Sequence, residues 1–156
     1  MGQSGVMSGI FHRFERYLDR VDRCDQDLSA WSVGMHIDHC LRVGEAVAAA
    51  VEDSVPGKER RTFSLLRLLA FTFNWIPRGR ARAPAEVQPD ERVGVVELRE
   101  RLGSSASIMD RLTRTDPAKT FTHFAFGTMG PRQALRFLEV HNTHHEKIIR
   151  DILAAG

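Results

Sequence analysis

Leu135-Arg-Phe-Leu-Glu-Val-His141-Asn-Thr-His144-His145-Glu-Lys-Ile-Ile149 repeats apolar residues every three or four positions and places three of the chain's seven histidines within five positions. The period is that of an amphipathic helix. Stepping about 100° per residue puts Ala134, Phe137, Leu138, Ile148, Ile149 and Ile152 on one stripe, centred roughly 20° from His141. His145 falls about 40° from His141 on the side of that centre, and His144 near 60° the other way, at the edge. Residues four apart stack one turn above the other, so His141 and His145 can direct two imidazole nitrogens to one point. Burying two imidazoles without partners is costly, and a metal ion would satisfy both. The plainer alternative is a pair of histidines satisfied by carbonyls, carboxylates or water. A firm metal site needs at least one further protein ligand, commonly a third histidine in an open arrangement.

The candidate lies in Trp31-Ser-Val-Gly-Met-His36-Ile-Asp-His39-Cys40-Leu. Ser32 suits the cap of a helix reaching roughly residue 52, on which Met35, Val43, Ala46 and Ala50 share the side of His39. His36 lies somewhat off that centre and remains the rival ligand, as does His39 acting as an ordinary core histidine. Cys40 is about 100° from His39 and reads as a small core residue.

Outward from these two helices the chain is helical throughout. Residues 1–8 read as a flexible lead, and a single domain follows over residues 9–154. Ile10, Phe11, Phe14, Leu18 and Val21 predict a first helix over residues 8–28. A further helix is predicted over residues 59–75, and the apolar stretch 63–76 within it reads as buried, being too short to span a bilayer and interrupted by Arg67 and Asn74. The basic, proline-marked stretch 77–90 forms the longest irregular connection, which reads either as a linker or as part of a functional site. Residues 90–112 predict another helix, bent or interrupted near Gly103. Residues 121–130 are an aromatic, glycine-rich loop, and Gly130-Pro131 opens the last helix. No segment of useful length alternates like a strand.

The 156 residues suffice for one core, and a formal charge of +2, from 22 basic against 20 acidic residues, excludes a strong field for nucleic acid. The two cysteines, Cys24 and Cys40, have no metal or disulfide spacing and suit free thiols in a reducing compartment. The uncharged N-terminus lacks the parts of a secretory signal, so a cytoplasmic address without membrane attachment is expected.

Trp31-Ser32 followed by His39, then His123-Phe-Ala-Phe-Gly-Thr-Met, then His141-x-x-His144-His145, resembles the DinB-like superfamily of bacterial proteins in motif order across most of the chain. The resemblance implies an all-α four-helix bundle with a crossover connection. It also implies a divalent-metal site, zinc or nickel, formed by His39, His141 and His145. Some branches of that family transfer low-molecular-weight thiols onto small electrophiles or isomerise thiol adducts. Two departures stand out: Phe124 replaces a common proline, and Ile148 a common glutamine whose loss removes a polar group beside the site.

Three function classes follow. The first is a metal-dependent enzyme of thiol-transferase or hydrolase type, with Arg78, Arg80 and Arg82 as candidate contacts for an anionic thiol or carboxylate substrate. No catalytic base is identified: Asp38 and Glu146 point away on the wheel, Glu146 into solvent, while His144 and His123 are secondary proton-transfer candidates. The second is a non-catalytic metal-binding or stress-response module. The third is a homodimerising helical scaffold in which Phe63, Leu66, Leu69, Phe73 and Trp75 face a partner, residues more often found in a core.

Overall fold

The computed structural model describes residues 3–60, 62–78 and 83–155. The chain is mostly helical: among the described residues there are five α-helices and one two-stranded sheet.

Helix α1 (Gln3–Arg16) begins inside the stretch expected to be a lead, and Met7 is already buried there. It ends well before residue 28, passing into a 3₁₀ turn at Leu18–Arg20. Beyond that turn, Asp25 accepts the Asp27 N–H at 2.9 Å, a local side-chain bond that competes with helix continuation.

Helix α2 (Val33–Asp53) starts where Ser32 Oγ accepts the Met35 N–H. Gly34 lets this first turn approach the preceding chain. Its N–H donates to Val21 O at 2.9 Å, and a Cβ at this position would come within 3.0 Å of the Val21 side chain. The buried face of α2 runs from His39 through Val43, Val47 and Val51, leaving Ala46 and Ala50 exposed.

Helix α3 (Leu65–Phe73) is shorter than expected and is not a core helix. Phe63 is 80% exposed, Leu68 51%, Phe73 70% and Trp75 60%, and Leu66 and Leu69 are also exposed. The inward side is held by Ala70 and Arg67, whose guanidinium donates to the carbonyls of Thr62, Phe126 and Thr128. Buried backbone acceptors thus select a cation for the inner face, and the leucines turn outward.

Helix α4 (Val95–Arg114) runs uninterrupted through Gly103. Strands β1 (Phe121–His123) and β2 (Gly127–Met129) form an antiparallel hairpin pairing Phe121 with Met129 and His123 with Gly127, where an irregular loop was expected. Three-residue strands are too short to show alternation in the sequence. Helix α5 (Pro131–Ala154) opens with Pro131 in its first turn, as predicted, while Gln133 Oε1 accepts the Gly130 N–H.

Among the four longer helices, α2, α4 and α5 pack on one another and α1 packs on α4 and α5, around one core containing Phe14, Ile37, Leu98, Leu138 and Ile149. Two carboxylates that the wheel turned away from the core are buried. Asp38 on α2 receives Arg42 Nε at 2.8 Å, the Arg101 guanidinium of α4 and the Asp90 N–H at 3.1 Å. Glu146 on α5 receives Tyr17 Oη at 3.0 Å and pairs with Arg13 and Arg150 at 3.2 and 3.3 Å. Each is charge-paired several times over, which is what burial of a carboxylate requires. Among the described residues no helix is long and apolar enough to cross a membrane.

Candidate metal centre

His39, in the second turn of α2, and His141 and His145, one turn apart on α5, converge where the two helices pack. All three are buried, and each offers one ring nitrogen in a set whose members lie within 4.8 Å of one another. This is the only such cluster of His, Cys, Asp and Glu among the described residues.

Hydrogen-bond partners fix which nitrogen is free. His39 Nδ1 lies 2.7 Å from the carbonyl oxygen of Val87. A carbonyl only accepts, so Nδ1 carries the hydrogen and Nε2 keeps its lone pair. His141 Nδ1 likewise meets Asn142 Oδ1 at 3.2 Å, which leaves its Nε2 as a lone pair too. The two Nε2 atoms face each other at 3.1 Å. With both Nδ1 positions protonated, two lone pairs oppose each other in a buried space, a contact that a cation between or beside them would resolve. Two nitrogens of one tetrahedral zinc, each about 2.0–2.1 Å from the ion, stand roughly 3.3 Å apart, close to the separation seen here.

A proton is a poor occupant. Burial pushes the His39 imidazole below its ordinary pKa, against the opposing pull of Val87 and Asp38. His141 and His145 are driven well below theirs, first by burial and then by neighbouring histidines. All three are therefore neutral near pH 7, the state in which an imidazole ligates a metal.

Surrounding groups order the cluster. The Trp31 ring lies 4.9 Å from His39 and stacks at 6.1 Å on His145. The connection between α3 and α4 reaches the site through its described residues: the Val87 carbonyl holds His39, and the Asp90 N–H donates to Asp38, beside His39 in sequence. His36 is 2% exposed and stands outside the ligand set. Its Nδ1 lies 2.9 Å from His145 Nδ1, and its Nε2 lies 3.0 Å from Ser29 Oγ. Sequence reasoning weighed His36 only as a rival ligand and missed this contact, along with the Val87 acceptor, because both depend on tertiary placement.

The secondary candidates separate. His144 is half-buried at the margin, its ring edge-on to His145 at 5.1 Å, with its pKa lowered to about 4 by burial and by Arg78. His123 Nδ1 accepts the N–H groups of Ala125 and Phe126, so this ring closes the hairpin turn. Burial lowers its pKa to about 4. Cys40 is a core residue whose thiol burial pushes well up, and Cys24 is exposed. Arg78 is exposed and paired with Asp151 at 2.6 Å, while Arg80 and Arg82 lie outside the described residues. Ile148 is buried, so no polar group stands at the position that a glutamine would fill. Comparison with family models, with curated proteins and with solved structures gives no match.

Proposed function

We propose that this chain is a DinB-like metal-binding protein in which His39, His141 and His145 hold a divalent ion, zinc or nickel, for a reaction of thiol-transfer or hydrolase type. The observation that carries the metal reading is the opposition of two imidazole lone pairs at 3.1 Å, each ring fixed by an oxygen acceptor on its other nitrogen. Motif order supports the family, and so do the mutual contacts of α2, α4 and α5 and those of α1 with α4 and α5, which a four-helix bundle would make. Bound there, a divalent ion supplies Lewis acidity that lowers the pKa of a water or thiol. Three histidines leave a coordination position for such a group. The chain's own part is to hold and orient the three rings and, through Trp31 and the Val87 segment, to limit water.

Elemental analysis of protein purified without a metal-affinity tag tests the site. The wild type is expected to carry about one equivalent of metal, and His39→Ala and His145→Ala to lose most of it. Full retention in both variants overturns the reading. Turnover of thiol and electrophile pairs by the loaded protein separates an enzyme from a metal-carrying module, the alternative that the absence of an Asp or Glu from the described cluster favours.

A second reading has its own observation. Phe63, Leu66, Leu69, Phe73 and Trp75 are all exposed, as a homodimerising scaffold requires. Sedimentation equilibrium of the wild type against Phe73→Glu checks it, a dimer that the charge dissolves being the expected outcome.

A further inference from the structure

We propose that His36 is the positioning residue for His145, holding that ring in the tautomer that presents Nε2 to the metal. The inference rests on the metal reading above and concerns a residue outside the ligand set.

The geometry is a relay of neutral groups. His145 Nδ1 and His36 Nδ1 are 2.9 Å apart, both residues are buried, and a contact that short requires one ring to donate and the other to accept. If His36 donated, His145 Nδ1 would be the acceptor, its hydrogen would sit on Nε2, and no lone pair would face the site. The ligand-competent arrangement is therefore the other one: His145 Nδ1–H donates to His36 Nδ1, and His36 carries its hydrogen on Nε2. That hydrogen has a waiting acceptor in Ser29 Oγ at 3.0 Å. Ser29 is itself held by the Trp31 N–H at 3.1 Å, which directs the hydroxyl oxygen at the end of the relay. The His36 ring is further fixed against the Trp31 indole, centroids 5.4 Å apart.

His39 differs from His145 in one respect. Its Nδ1 partner is a backbone carbonyl, which can only accept, so its tautomer is fixed whatever the site contains, while His141 Nδ1 faces the Asn142 side-chain amide through Oδ1. His145 is oriented by a second imidazole, a group able to donate or accept at the very atom it presents, and a metal ligand of that kind depends on its outer partner for affinity. Removing His36 frees the ring to rotate or to take the wrong tautomer.

The test uses metal-stripped full-length protein loaded with zinc, affinity being read by competition with a chromophoric chelator, and with cobalt(II), whose visible bands report ligand geometry. His36→Phe, which keeps a ring but cannot accept, is expected to weaken zinc binding about 10- to 100-fold and alter the cobalt spectrum. His36→Gln, whose amide oxygen can accept from His145 Nδ1–H, should recover most of the loss. A purely structural role for His36 would lower melting temperature in both variants without separating them in affinity. Unchanged affinity in His36→Phe overturns the inference and leaves the metal site standing. Failure of the wild type to bind zinc or cobalt overturns the metal reading itself. Should His36→Phe fail to fold, ¹⁵N-detected imidazole spectra of the metal-stripped wild type decide: Nδ1–H on His145 with Nε2–H on His36 is expected, and Nε2–H on His145 with Nδ1–H on His36 refutes the assignment.

Discussion

The oxygen of Val87 accepts and cannot donate, and much of the site's chemistry starts from that. It fixes the proton of His39, the proton fixes the lone pair, and the lone pair faces another at 3.1 Å. The same neutral rings set the response to pH. His36 has its pKa lowered to about 3, His123 and His144 to about 4, and the three candidate ligands are lowered as well, with burial the first cause in every case. An unfolded histidine titrates near 6.5, so below that pH the unfolded chain binds protons that the folded chain refuses. Stability is then full above about pH 7 and falls as the solution is acidified from about 6.5 towards 4. Because several histidines act together, the slope should exceed the roughly 1.4 kcal/mol per pH unit of a single group. Urea midpoints of chelator-treated protein, measured from pH 8 to pH 4, check this, and a flat profile over that range would contradict the buried neutral cluster. At this scale helix rotation turned His141 and His145 inward, and His39 came from its own helix with His36 as a rival; the structure brings His39, His141 and His145 together. The sequence concealed Asp38 and Glu146, whose burial depends on Arg101, Arg13 and Tyr17 arriving from other elements.

Helices α2 and α5 were legible because long periodic patterns bounded by Ser32 and Pro131 leave little choice. Helix α3 was misread because periodicity reports how apolar a segment is and says nothing of what covers it. The hairpin was missed for its shortness, and one of its residues governs a clear prediction. Gly127 has φ +71°, and a Cβ there would run into Thr62 Oγ1. Gly127→Ala should cost roughly 1–3 kcal/mol from backbone strain alone, with the clash added. Gly103, in the interior of α4, has nothing within 4 Å of an added Cβ. Gly103→Ala should stabilise by roughly 0.5–1 kcal/mol through helix propensity. Urea denaturation of the two variants side by side is the check, and effects of the same sign would contradict the placement of one glycine or the other.

For the molecule as a whole, burial, ion pairs and the histidine cluster fall on the same contacts. Asp38 and its arginines join α2 to α4, Glu146 joins α5 to α1, and the three clustered histidines join α2 to α5. Metal addition should therefore raise global stability, because the assembled cluster belongs to the folded state. With free zinc at about a thousand times its dissociation constant the gain is about 4 kcal/mol. Calorimetric melting with zinc and with chelator measures it, and His141→Ala should abolish the difference while leaving the chelated protein folded.

His39 and His141 stand 102 residues apart in the chain and 3.1 Å apart at their nitrogens. A metal held by both is a removable cross-link, closing a loop as long as those that stabilising disulfides close, in a chain whose two cysteines are free. Retained through unfolding, such a link would lower the entropy of the open chain and hasten its return. Refolding with zinc present from the start should then outpace refolding with zinc added after dilution, a kinetic signature of where along the sequence the two helices carry their histidines.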